Sequence, residues 1–294
     1  MPSRVPILLL ALIGLMAVSH GVIFVRLAGD APALFLATAR VAIGTILFAP
    51  VAWIAWRRGA GINRRSFALS VLAGLCLAVH FGTWIESVQR LSIAESAILV
   101  SLSPVWIAVI ETVLGRGLPS RKVLLGIALC LLGVGIIGYD GASRPVGDPF
   151  GLVLAGIGGL SMAGYLLIGQ KVRSGMPTAL YVTICYGMAA VALAVFSLPI
   201  GAFDPAAIGG QALIAALALG LVCQGIGHSA YNHALGRLSP IFVAICLLGE
   251  PVLSCLLGVV YLDESIPIAS AIGGIPILIG VWLALLEEVS RLRK

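Results

Sequence analysis

The chain has 294 residues, 60% of them hydrophobic and only 10% charged, against roughly 25% charged in an ordinary soluble domain. A soluble core still needs a charged skin, so this composition excludes a water-soluble globule; the apolar blocks have the length of bilayer-spanning helices, not the alternating pattern of an outer-membrane barrel. The formal net charge of +6 does not mark a nucleic-acid partner, because Lys and Arg sit in short loops between apolar blocks and no basic helix carries interleaved aromatics.

Ten spanning helices are expected in chain order: about 7–25, 33–56, 67–88, 93–114, 123–139, 149–169, 178–198, 211–233, 240–262 and 266–286. The first apolar run follows Arg4 and continues to Val25, long enough to remain as a span rather than a cleaved signal peptide. Breaks such as Arg57-Arg58-Gly59, Gly115-Arg116-Gly117 and Ser174-Gly175-Met176-Pro177 combine polarity with helix breakers. Trp53 and Trp56 read as interfacial anchors. All six cysteines lie within apolar segments and read as small packing residues. With the amino terminus inside, fourteen Lys and Arg fall on the inner side and three on the outer, Arg40 lying within a span. That bias places both termini in the cytoplasm.

A shift of 147 residues superposes the two halves without gaps from Arg90 to Val134, with 12 identities in 45 positions. Arg90-Leu91-Ser92 falls on Arg237-Leu238-Ser239, Pro104-Val105 on Pro251-Val252, Gly126 on Gly273, and Gly133-Val134 on Gly280-Val281. Matched prolines and glycines carry most weight, because they impose backbone geometry. Five spans per half make the repeats inverted in the membrane, an arrangement that recurs in secondary transporters and sets a site between the halves. The expected fold is therefore an all-α integral membrane protein of ten helices in two inverted repeats, 1–140 and 149–287, with a cytoplasmic tail, 288–294.

The later spans read Leu247-Leu248-Gly249-Glu250-Pro251-Val252, then Tyr261-Leu262-Asp263-Glu264, Gly273 and Ile279-Gly280-Val281. These residues resemble the closing signature of the EamA family in the drug/metabolite transporter superfamily. The resemblance covers the whole chain, although Gly115-Arg116-Gly117 stands where that family often has an acidic residue after the fourth span. It implies a metabolite transporter of the bacterial inner membrane without an ATP-binding domain or cofactor. Within the family, the chain looks most like exporters of aromatic amino acids.

Ionisable groups inside a bilayer are costly and are the default site candidates. Arg40 either holds a substrate carboxylate or fixes helix packing. Glu250, beside Pro251, either donates to a freed carbonyl, exchanges a proton, or meets a substrate amine. His80 and Trp84 share a helix face and suit the wall of an aromatic site. His228 and Tyr231 share another face, with Gln224 one turn earlier; His20, Tyr165 and Tyr186 are further lining candidates. Pro104 and Pro251 are expected hinges or kinks.

The enzymatic alternative is an intramembrane protease, but HExxH, GxSxG and paired intramembrane aspartates are absent from the sequence, as are metal-ligand spacings. An exporter of cationic drugs, with Glu250 as acceptor, is the alternative within the superfamily. The expected partners are the lipid bilayer and a small-molecule substrate, with the protein a monomer or homodimer.

Overall fold

The computed structural model describes residues 5–91, 96, 99–139, 148–262 and 268–293. Arg4, Asp140, Arg144, Asp263, Glu264 and Lys294, and Ser92 of the repeat match, lie outside them. The described residues are helical or connecting, with no strand among them. The helices are α1 (Val5–Ser19), α2 (Gly21–Leu27), α3 (Ala33–Arg57), α4 (Arg64–Arg90), α5 (Ser103–Val113), α6 (Arg121–Tyr139), α7 (Pro149–Arg173), α8 (Thr178–Ser197), α9 (Gly210–Ala218), α10 (Ser229–Ala234), α11 (Pro240–Leu247), α12 (Glu250–Leu262) and α13 (Ile268–Arg293). A ten-residue π-wound segment, Leu219–His228, joins α9 to α10.

Eight stretches among the described residues are long and apolar enough to cross a bilayer. The expected fourth span lies partly outside the described residues, and its described remainder includes α5. The expected fifth span is α6, of 19 residues. Large apolar side chains such as Ile46, Phe196, Ile214 and Leu278 face outward, where lipid rather than water would meet them. Trp53 and Trp56 are also exposed, with ring centroids 5.1 Å apart. Helix starts are capped by side chains where the sequence supplies an acceptor: Asn63 accepts from the Ser66 amide at 2.7 Å, and Asp148 from the Phe150 amide at 3.0 Å.

Four expected spans are not continuous α-helices among the described residues, the fourth turning at Ser101-Leu102. The first is divided at His20 into α1 and α2. The ninth is divided at Leu248-Gly249 into α11 and α12, because Pro251 has no N–H to offer the Leu247 carbonyl. The eighth contains the π-wound segment. Pro104 and Pro251 thus begin new helices, positions that proline tolerates, rather than kinking continuous ones. The two turns correspond: the Leu102 amide donates to the Leu99 carbonyl at 3.2 Å, and the Gly249 amide donates to the Cys246 carbonyl at 3.0 Å. Each of the second pair lies 147 residues after its counterpart. At the carboxyl end, α13 continues through the expected tail to Arg293. Glu288 on this helix is buried, accepting from the backbone and hydroxyl of Ser239 at 2.8 and 2.7 Å and pairing with Arg291.

Helix α6 packs along α13 through glycines. A Cβ on Gly126 would meet the Gly280 carbonyl oxygen, and one on Gly133 would meet that of Gly273. The early residue of one helix meets the later residue of the other, so the two run antiparallel. Between these contacts, the Cys130 thiol lies 3.5 Å from the Ile277 carbonyl oxygen, a pair again separated by 147. The contact set is unchanged when the two helices exchange places. Elsewhere α3 packs on α8, α4 on α7 and α8, and the π-wound segment on α1 and α3, enclosing the polar residues described below.

Close approach at Gly133 makes this seam intolerant of added volume. Gly133→Val should lower the thermal midpoint of purified protein by several degrees, overpacking costing about 1–3 kcal/mol. Gly135→Val, where a Cβ meets nothing within 4 Å, should melt close to the wild type. Equal melting of the two variants would show that the seam does not bear on stability.

Candidate functional site

The π-wound segment brings the expected polar residues together. Wider winding gives i→i+5 bonds, and small residues let neighbouring helices press against it. A Cβ on Gly220 would strike Ile43, one on Gly225 would strike Leu47, and one on Gly227 would strike Val18. Gly44 of α3 faces the same way, its missing Cβ making room for Gln224 and Tyr186. These contacts seat Gln224 against the middle of α3.

Arg40 is only 2% exposed. Its Nε donates to Gln224 Oε1 at 3.3 Å, and its guanidinium carbon lies 3.8 Å from the centroid of the Phe81 ring. No carboxylate lies within ion-pairing distance of Arg40 among the described residues, and its two terminal nitrogens donate to no protein acceptor there. Glu250, the first residue of α12, stands within electrostatic reach of both Arg40 and Tyr231. The amino-terminal end of a helix favours negative charge.

Aromatic rings surround the guanidinium. Phe81 meets His228 edge-on at 5.1 Å, and Tyr165 lies 6.3 Å from His228. His80 donates from Nδ1 to the Gly158 carbonyl at 3.0 Å, so Nδ1 carries the proton. Its ring is parallel to Trp84 at a centroid separation of 6.2 Å. Beyond His228, Asn232 donates from Nδ2 to the hydroxyls of Tyr165 and Tyr186. Tyr186 is 3.1 Å from the Ser229 hydroxyl, and Ser229 donates to the Gln224 carbonyl at 3.0 Å. One polar chain therefore runs from α3 through the π-wound segment to α10, α8 and α7.

Of the residues expected from sequence, Arg40, Gln224, His228 and Tyr165 share this centre, with His80 and Trp84 on its α4 side. Tyr231 and Glu250 form a neighbouring group toward α1 and α12. His20 stands apart: its Nδ1 bonds the Met16 carbonyl at 2.8 Å, and its ring packs on Phe24 and Tyr261. Sequence reasoning passed over Phe81, Ser229 and Asn232. The signal for Asn232 was present, since it follows Gln224 and His228 at intervals of four.

The model of the EamA-like transporter family matches the chain twice, over residues 5–139 and 149–286. The chain belongs to the EamA-like transporter family. Two similar proteins are uncharacterized transporters. One, from Archaeoglobus fulgidus, is 25% identical over 245 residues, covering 81% of this chain and 83% of that protein. The other, the Bacillus subtilis transporter YwfM, is 23% identical over 247 residues, covering 82% and 80%. A solved crystal structure superposes with a TM-score of 0.80 at 20% identity, covering 99% of this chain and all of the other, a likeness of fold. This EamA-family chain is thus a multi-pass membrane transporter, and the polar centre lies in the middle of its helices.

Polar groups left unmet in a protein interior are held at a cost in stability. Replacing Arg40 by the apolar, similarly long methionine should leave the thermal midpoint of the ligand-free protein unchanged or raise it by a few degrees. A fall of more than about 5 °C would make Arg40 a packing element instead.

Proposed function

We propose that this EamA-family transporter exports small amphiphilic metabolites, aromatic and other neutral amino acids foremost, across the bacterial inner membrane by alternating access. The observation that carries the reading is the buried Arg40 guanidinium with both terminal nitrogens unpartnered. A buried cation without a counter-ion is costly, and a substrate carboxylate is the group that a guanidinium fork fits best. Because Gln224 Oε1 accepts from Arg40, Gln224 presents its Nε2 as a second donor, and this nitrogen is buried without a partner. Phe81, His228 and Tyr165, with the His80–Trp84 pair beside them, suit a flat hydrophobic side chain.

The proposed architecture is ten spans in two inverted halves, residues 1–140 and 149–287, with both termini cytoplasmic. The antiparallel α6–α13 seam, its exchangeable contacts and the matching turns at 101–102 and 248–249 support it, as does the concentration of Lys and Arg in alternate loops. Helices interrupted near a pseudosymmetry axis are a recurring way to build transporter sites. Rocking of one half against the other would expose the Arg40 centre to each side in turn. Glu250 is the proton-coupling candidate: it starts a helix at such an interruption, and its charge and a substrate carboxylate would compete for the field of Arg40. The cationic-drug alternative is less favoured, since Arg40 would repel a cation from this centre.

Purified protein in liposomes should take up labelled tryptophan and phenylalanine saturably, above empty liposomes, with threonine transported less well. Arg40→Lys keeps the charge but loses the planar fork, and should lower uptake at least about tenfold in protein that inserts normally. An imposed pH gradient should alter wild-type uptake, and Glu250→Gln should remove that dependence. Failure of folded protein to transport any of the three compounds would refute the amino-acid assignment.

A further inference from the structure

Four of the seven buried side-chain polar atoms without a partner among the described residues belong to residues 224–232: Gln224 Nε2, His228 Nδ1, Tyr231 Oη and Asn232 Oδ1. No other stretch of the described residues concentrates unmet polarity in this way. In the interior of a membrane protein each such atom forgoes a bond that lipid cannot replace.

The hydrogen-bond chain decides which end of the Asn232 amide is unmet. Ser229 has one proton, and it goes to the Gln224 carbonyl. Tyr186 must therefore donate its own proton to the Ser229 oxygen. A hydroxyl whose proton is committed can still accept, so Tyr186 accepts from Asn232 Nδ2, which also supplies Tyr165. The amide orientation follows, and Oδ1 is left as a fully buried acceptor. Gln224, fixed by Arg40, presents a donor. Eight residues separate the two, on the order of 10 Å along the helix, with the rings of His228, Tyr165 and Phe81 about the polar chain. One end offers donors for a carboxylate. The other offers an acceptor, at a distance too long for the ammonium of the same headgroup but suited to the far edge of an aromatic side chain.

We propose that Asn232 is a specificity-determining residue, accepting a hydrogen bond from the ring of the substrate, so that the site selects aromatic amino acids whose ring carries a donor. An indole N–H or a phenol O–H satisfies Oδ1; a phenyl ring leaves it unmet. This inference rests on the aromatic amino-acid reading above. Ser229 is a positioning residue: it touches no substrate, but its acceptor oxygen commits the Tyr186 proton and so keeps Oδ1 free.

The test is competition against labelled tryptophan bound to the purified full chain. Tyrosine is compared with phenylalanine, and tryptophan with 1-methyltryptophan. A site built around a hydrogen bond rejects analogues lacking it far more strongly than an apolar pocket rejects a missing methylene. The wild type should prefer the donor-bearing member of each pair by about tenfold or more. Asn232→Leu should reduce both preferences to within about twofold while keeping phenylalanine binding. Ser229→Ala, which frees the Tyr186 proton and lets the Asn232 amide turn over so that its oxygen accepts from Tyr186, should weaken both preferences although it removes no group that meets the ring. Thermal melting confirms that each variant is folded, and the preference ratio does not depend on how much protein is active. Equal binding within both pairs by the wild type, or undiminished preference in both variants, would overturn the role of Asn232. No binding of any of the four compounds would overturn the aromatic reading itself, and this inference with it.

Discussion

Everything in this molecule is shaped by a solvent that cannot form hydrogen bonds. In a bilayer the backbone must satisfy its own polar groups, so each departure from a regular α-helix needs a local answer. At Leu248-Gly249 the answer is a tightened turn of backbone bonds. At Ser229 it is a hydroxyl directed to the carbonyl five residues back. At the junction of α1 and α2, Ser254 donates to the Ser19 carbonyl at 2.9 Å. Where every departure is so carefully met, the unmet atoms around Arg40, Gln224 and Asn232 stand out as places kept for something else.

The seam between α6 and α13 answers the same constraint differently. Lipid tails are as apolar as leucine, so helices in a membrane gain little by hiding hydrophobic surface, and close packing of small residues takes over. Gly126, Gly133 and Gly280 let the two backbones approach. The π-wound segment uses the same device against α1 and α3, so rigid contact and an irregular, polar helix occur side by side. This combination positions the polar centre: the glycines fix the helix axis, while the irregular winding decides where Gln224 and His228 come to lie.

Much of this was legible in the sequence, for identifiable reasons. Span positions follow from hydropathy, because a bilayer imposes one length on every crossing. The repeat was visible because glycines and prolines survive where geometry requires them. Arg40, Gln224, His228 and Tyr165 were legible as polar groups in apolar helices. What escaped detection was local. Leu219-Gly220-Leu221-Val222-Cys223-Gln224 reads as an ordinary spanning helix, since π winding arises from packing against α1 and α3 rather than from residue preference. Asn232 sits near a helix end, where asparagine is common, and its meaning emerges only with Tyr165 and Tyr186, 67 and 46 residues away. His20 is a polar residue in an apolar run whose Nδ1 turns back to the Met16 carbonyl four residues earlier.

The wide winding of Leu219–His228 also carries a history. Arg90 and Arg237 stand 147 residues apart, but Gly74 and Gly220, which let α4 and its counterpart lie close to α8 and α3 respectively, stand only 146 apart. The second half has one residue more than the first between these points. An α-helix that gains a residue must either rotate everything beyond it by about 100° or store the extra residue as a bulge. The π-wound stretch Leu219–His228 is a place where such a residue is stored. A spanning helix could thus acquire an irregular, polar stretch through a single added residue, without rotating the helix beyond it.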